Sequence, residues 1–523
     1  MYTPLAIIFV LSQVSHGHWH SSVVQMEDLM HEELGLVKNI EEYIASREKK
    51  LARVKFVVDR LNAEAEGAAV DVEKYLGHPV NQYLLLKRLI MGFELIEDLI
   101  DRNRTFADHL STIRSNIPDK EDIKESATAL RRLQVTYKLD IQQLAKGIVK
   151  DANAGRSLSA DDCYQIGEAA YLDKDFYGCA SWMEEAYNRV WEGDTSRGWF
   201  EVSDYLAYAQ SELGNFERAF SLTRELLTAE PDNARLLANF ALLSQQVDDL
   251  TKDGTQGGAV MGPEDKTERQ ALYERLCRDG GDPVPSDVTK NLKCYLWHNN
   301  HPFMRVQPIK MEELWKSPSI VRFYDIISDK ESDIIKKLAK PKLKRATILN
   351  EELGENGKKP AKHRVGKTAW LTDRKHQVVQ KLSERMSAIT GLGIKTAEPL
   401  QLSNYGIGGH FLPHVDYLRA HEQTDIERDN GPRIATVLLY LTNVKYGGAT
   451  VFLPQKLYVE PIKGSAIFWF NILTSGECDE RTRHAACPVL NGIKWVANKW
   501  IHSNEQMFTN PCKLDEYADY TFS

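Results

Sequence analysis

Neither sign of charge dominates this 523-residue chain: 66 Lys and Arg against 74 Asp and Glu leave a formal charge of −8. No chain-wide field draws a polyanion, so nucleic acid is excluded as an expected partner. Beyond the first residues there is no long uncharged apolar run, and no membrane anchor is expected in the mature chain. Cysteine is sparse, and seven residues require at least one unpaired thiol. The opening MYTPLAIIFVLSQVSHGHWH lacks Lys and Arg. Its apolar core Pro4 to Leu11 is nevertheless too short to span a bilayer, and Ser15 and Gly17 are small residues placed for cleavage. Residues 1–17 therefore read as a signal peptide, with a buried N-terminal strand as the alternative. A secretory route permits disulfides. Cys277 and Cys294 bracket a short charged loop, and Cys487 and Cys512 bracket the C-terminal strands; these are the two expected pairs, leaving Cys163, Cys179 and Cys478. The sequon at Asn103 is a candidate glycosylation site. What is present, 42% hydrophobic and 27% charged residues, describes a soluble folded chain, long enough for two or three units.

Three blocks follow one another, an α+β multidomain organisation. Residues 18–150 read as helical. Apolar positions Val37, Ile40, Ile44, Leu51, Val54, Val58 and Leu61 step by three and four, interrupted by Arg47, which is a heptad pattern with charged flanks. It fits a coiled coil with another chain or a helix of an intramolecular bundle. A second helical stretch, NQYLLLKRLIMGFELIEDLI, follows the break at His78 and Pro79. Residues 157–246 read as paired helices, with Ser159 as an N-cap and the Gly-Asn turn and spacing of tetratricopeptide-like repeats. Tyr205 and Tyr208 share one helix face, with Asn239 on a following helix. They line a peptide groove or belong to the core. Residues 250–315 read as a Gly-rich linker and a short disulfide-bracketed segment. From 316 to 523 short β-branched and aromatic runs such as RIATVLLYLTNV, GSAIFWF and KWVANKWIHS indicate a double-sheet jelly roll or barrel with a few flanking helices.

Within that β half, GGHFLPHVDY holds the first chemical signal. Strand residues two apart share a face, so His414 and Asp416 direct an imidazole and a carboxylate to one point. His484, in RTRHAACPVL, supplies a third donor. Two histidines and one carboxylate leave adjacent metal positions open, the pattern of non-haem Fe(II) oxygenases. A 2-oxo acid fills two of those positions, and its far carboxylate then needs a cation inside the barrel; Lys494 answers that need. His410 and Pro413 take ordinary structural readings.

The set H-x-D, a distant His and a Lys ten residues later, within NYGIGG, GGATVF, AIFWFN, RHAACPVL and KWVANKWIH, resembles the catalytic domain of collagen prolyl 4-hydroxylase α subunits. The resemblance extends over nearly all of the mature chain, including HPVNQYLLLKRL and DYLAYA. It implies a double-stranded β-helix oxygenase domain, an N-terminal dimerisation region and a peptide-substrate-binding domain. It implies Fe(II), 2-oxoglutarate, O2 and ascorbate, with X-Pro-Gly sequences of procollagen as substrate. It also implies protein disulfide isomerase as β subunit of an α2β2 assembly in the endoplasmic reticulum lumen. By residue, it implies His414, Asp416 and His484 as iron ligands and Lys494, with Tyr405 beside it, for 2-oxoglutarate. His502 is implied to orient the co-substrate and Arg433 to lie near the substrate peptide.

Four positions, at three places in the chain, depart from the family pattern. Phe411 and Leu412 stand where Tyr and Glu are usual, Gly366 where Ser is usual, and Ser211 where another Tyr is common. They point to a divergent isoform with altered peptide preference. Two other readings are a peptide-binding scaffold with a weak oxygenase domain and a zinc hydrolase. The intact four-residue set disfavours the first, and the absence of a general-base Glu disfavours the second.

Overall fold

The heptad-spaced stretch forms one helix, α1 (Val23–Ala69, 47 residues), in a computed structural model that describes residues 23–99, 120–252, 267–283, 285–349, 358–360, 364–406, 408–417, 425–515 and 517–520. The expected leader 1–17, Asn103 and most of the Gly-rich stretch lie outside the described residues. Val37, Ile40, Ile44, Leu51 and Val58 are exposed along α1, whereas Val57 is buried. The next long helix is α2 (Pro79–Leu99), where Gly92 approaches Leu61 and Val57 of α1. The chain divides into two compact units, one within Met1–Val70 and Arg88–Ile117, the other within Asp71–Lys87 and Pro118–Ser523.

In the second unit, helices α3 (Lys120–Tyr137), α4 (Ala160–Leu172), α5 (Phe176–Trp191), α6 (Trp199–Glu212), α7 (Phe216–Ala229) and α8 (Ala234–Lys252) follow in order. Ser159 caps α4 in a reciprocal capping box with Asp162, as its sequence position predicts. Gly214, at φ +78°, makes the turn from α6 to α7, a conformation that would strain a side chain. Val80, Tyr83, Leu130, Leu133, Ile166, Trp182 and Leu206 form their shared core, which also takes in Leu490 from the C-terminal half. Tyr137 ties the helices to that half by donating its hydroxyl to the Pro488 carbonyl at 2.5 Å.

The β half contains β1 (Cys294–Trp297), β2 (Ile309–Trp315), β3 (Ile320–Phe323), β4 (Lys344–Arg345), β5 (Arg364–Val365), β6 (Lys367–Leu371) and β7 (Leu400–Tyr405). It continues with β8 (His410–His414), β9 (Arg433–Tyr440), β10 (Thr450–Phe452), β11 (Leu457–Val459), β12 (Ala466–Phe470), β13 (His484–Ala486) and β14 (Lys494–His502). Nine of these form an antiparallel sheet in the order β1-β2-β3-β12-β9-β14-β7-β6-β4, and five form a second, β11-β10-β13-β8-β5. The non-consecutive neighbours are the mark of a jelly roll.

Alternation along the strands explains the layers. In β9, Ala435, Val437 and Leu439 face the helices Asp329–Ala339 and Gln377–Thr390, while Leu438 and Tyr440 join Phe452, Ile467, Trp469 and Val496 in the other core. Burying a side chain the size of Phe468 or Trp469 contributes roughly 1.5–3 kcal/mol, so neither face can be left open.

Two expectations are corrected. Residues 250–315 are not simply linker: β1 and β2 extend the large sheet, and the helix Glu268–Asp279 seats Tyr273, Leu276 and Cys277 on Val451, Ala485 and Cys487. That packing brings the Cα atoms of Cys277 and Cys487 to 5.4 Å, and these two form the disulfide. Cys294, at the sheet edge, and Cys512, in the C-terminal tail, are exposed free thiols, and Cys163 and Cys179 are buried among the helices.

Candidate active site

Pairing of β8 with β13 sets His414 directly opposite His484, and Asp416 follows two residues after His414. One donor atom from each of the three lies within 4.8 Å of the others. His414 Nε2 is 3.5 Å from one Asp416 oxygen and His484 Nε2 is 3.8 Å from the other. The remaining ring nitrogens fix the tautomers. His414 Nδ1 meets the Leu412 carbonyl at 2.8 Å and His484 Nδ1 meets the Thr482 carbonyl at 3.0 Å. A carbonyl only accepts, so each Nδ1 carries the hydrogen and each Nε2 presents a lone pair.

Electrostatics agree with ligation. Burial, reinforced by His414, pushes the His484 pKa down to about 4. Burial opposes ionisation of Asp416, but His484 and His414 outweigh it and hold the carboxyl below its ordinary value. The cluster therefore offers an uncharged His484 imidazole and an Asp416 carboxylate at neutral pH, with the His414 ring beside them, a donor set that a hard-to-borderline divalent metal takes. The Thr436 hydroxyl donates to Asp416 Oδ2 at 2.8 Å and itself accepts from Asn471 Nδ2 at 3.0 Å. Phe452 and Trp469 wall the His484 ring.

Lys494 opens β14 opposite Tyr405 of β7, its Nζ 5.1 Å above the Tyr405 ring. It is 2% exposed, and no carboxylate of the described residues pairs with it, so burial alone lowers its pKa to about 7. A buried ammonium without a counter-anion is costly, and a ligand carboxylate is what removes the cost. That orphaned cation on the inner face fits 2-oxoglutarate as well as the His-Asp-His donors fit iron. Tyr405 is buried and hydrogen-bonded to Arg364 and Ser403.

Arg433 and His502 meet on a carboxylate that sequence reading missed. Glu398 Oε1 accepts from Arg433 Nε at 2.5 Å and from His502 Nε2 at 3.3 Å, while His502 Nδ1 donates to the Gly431 carbonyl. Burial opposes charge on Glu398, but His502 and Arg433 prevail and lower its pKa. Arg433 lies over Trp500 and reaches the Asp416 carbonyl at 3.4 Å. Arg433 thus touches the metal cluster's own strand end, whereas both His502 nitrogens are occupied by protein acceptors.

The departures are placed as follows. Phe411 stacks on His414, Leu412 is exposed, and a Cβ at Gly366 would come within 3.1 Å of the Asn404 carbonyl and 3.2 Å of the Tyr405 ring. Ser211 lies in the last turn of α6. On the helical repeats, Tyr205 packs edge-on against Tyr164 and Tyr171, while Tyr208 is exposed and meets Tyr171 and Phe176. Tyr205 is thus partly buried against the helical core and Tyr208 exposed beside it. Asn239 is half-buried on α8. Tyr171 joins both tyrosines, a role that its spacing along α4 does not disclose.

Three family profiles match: prolyl 4-hydroxylase alpha-subunit, N-terminal region, over 22–151; prolyl 4-hydroxylase peptide-substrate-binding domain, over 160–247; and 2OG-Fe(II) oxygenase superfamily, over 400–502. Prolyl 4-hydroxylase subunit alpha-2 of Gallus gallus is 40% identical over 519 residues, covering 95% of this chain and 97% of that one. Prolyl 4-hydroxylase subunits alpha-1 of Mus musculus and Homo sapiens are each 39% identical over 526 residues, covering 97% of this chain and 98% of theirs. Identity of this order along the whole length means that the chain belongs to the prolyl 4-hydroxylase α-subunit family.

Proposed function

We propose that this chain hydroxylates C4 of proline in X-Pro-Gly sequences of collagen-like polypeptides, coupled to oxidative decarboxylation of 2-oxoglutarate to succinate and CO2. It is an Fe(II)- and 2-oxoglutarate-dependent dioxygenase by family. The observation that carries the reading is the pairing of three converging donors, His414, Asp416 and His484, with a buried unneutralised Lys494. His414, Asp416 and His484 would hold the iron and leave adjacent positions open. Bound iron with its 2-oxo acid supplies the oxidising power that an unactivated C–H bond requires. Lys494 binds the far carboxylate of 2-oxoglutarate, and Tyr405 keeps its ammonium over an aromatic face. Thr436 and Asn471 hold Asp416, and the aromatic walls Phe452 and Trp469 exclude water from His484. Arg433 stands at the rim to meet the peptide, and His502 acts through Glu398.

Tyr208 with Tyr205, Tyr171 and Asn239 forms the proposed peptide groove, where an aromatic surface suits the preformed polyproline II of unhydroxylated procollagen. The exposed apolar stripe of α1 supports self-dimerisation through a coiled coil. Protein disulfide isomerase as β subunit, ascorbate as reductant, a cleaved signal at 1–17, glycosylation at Asn103 and residence in the endoplasmic reticulum lumen complete the proposal. The apolar leader and the one disulfide support it. The test is 2-oxoglutarate decarboxylation by the purified assembly with and without a (Pro-Pro-Gly)n peptide. Peptide-stimulated turnover is expected. No turnover with iron and disulfide isomerase present would refute the enzyme reading.

A further inference from the structure

Residues three apart in a regular strand face opposite ways, yet Phe411 and His414 share a face in β8. Their partners in β13 are Ala486 and His484, so three steps on one strand oppose two on the other, and the extra residue is a bulge. Pro413 sits within it and has no N–H for the ladder to lose. The bulge lays the Phe411 ring flat on the His414 imidazole, centroids 3.6 Å apart and planes within 17°. The Arg364 guanidinium also lies over the Phe411 ring, 4.9 Å from the ring centre. Arg364 is in turn fixed by Gln401 at 2.6 Å and Ser403 at 2.8 Å, both on β7.

His414 needs such support more than its two companions. Its side chain is 21% exposed against 7% for each of Asp416 and His484, and apart from Phe411 its ring meets the Leu412 carbonyl of its own strand, Asp416 and the His484 ring. The structure assigns Phe411 as a positioning residue for the metal centre: with the Arg364 guanidinium held over it, its ring fixes the plane of the His414 imidazole. The assignment rests on reading His414 as an iron ligand. An imidazole free to rotate off the donor set binds metal more weakly, and outer partners of ligand histidines change affinity by about 10- to 100-fold.

Co(II) titration of the full chain in its purified assembly, followed by visible absorption, reads this without turnover. Phe411→Leu is expected to weaken Co(II) binding about tenfold or more and to change the absorption band. Phe411→Tyr keeps the ring, so affinity and band within about twofold of the unsubstituted chain are expected. An unchanged affinity and band in Phe411→Leu would overturn the assignment, and so would a tenfold loss in Phe411→Tyr, which applies even if the Leu variant does not fold. His414→Ala separates the two readings. If the unsubstituted chain binds no more Co(II) than His414→Ala, the ligand reading fails, and Phe411 falls with it.

Discussion

His414 and Asp416 are legible in sequence because the two-residue period of a strand is local. His484 and Lys494 are legible only as residue types waiting for a partner. Thr436, Asn471, Glu398 and Arg364 are not, because hydroxyls, amides and single charges acquire these roles only when strands tens of residues apart pair. Thr436→Val removes the donor to Asp416, and metal affinity is expected to fall about tenfold or more by titration. Lys494 gives a pH signature. Its folded pKa, about 7, lies below the unfolded value of about 10.4, so between those limits the unfolded chain holds a proton that the folded chain has released. Stability of the cofactor-free protein should therefore rise with pH through that window, measured by denaturant unfolding, and Lys494→Met should lose the rise. Proton uptake on binding 2-oxoglutarate near pH 8, seen calorimetrically in two buffers, is the matching expectation.

Helices with strong periodicity and caps are read correctly from the chain, as Ser159 and the Gly214 turn illustrate. The segment 250–315 is not. Strands β1 and β2 carry charged and aromatic residues together and depend on edge pairing rather than on alternation. The cysteines misled for a related reason: bracketing short loops is a sequence criterion, whereas the bond follows the seat of the helix Glu268–Asp279 on the strand region of Cys487. Non-reducing peptide mapping is expected to recover Cys277 linked to Cys487. Cys487→Ser should cost about 2–5 kcal/mol of stability, while Cys294→Ser and Cys512→Ser should stay within about 0.5 kcal/mol.

The chain as a whole joins a long helix with an unburied apolar stripe, a helical repeat unit with an aromatic surface, and a jelly roll holding a metal-ligand cluster. Composition and block order disclosed that organisation; the attachment of the repeats to the jelly roll through Tyr137 and Leu490 required the folded chain. Charge introduced into the stripe, Ile40→Asp with Ile44→Asp, is expected to halve the assembly mass in sedimentation, with 2-oxoglutarate turnover per chain retained.

The most direct measurement combines hydroxyproline and succinate yields from the purified assembly given Fe(II), 2-oxoglutarate, O2 and (Pro-Pro-Gly)n. Hydroxylation at the proline preceding glycine, about one per succinate, and its abolition by His414→Ala are the expected result. Peptide that stays unhydroxylated while the iron site is filled, or hydroxylation that survives His414→Ala, would contradict it.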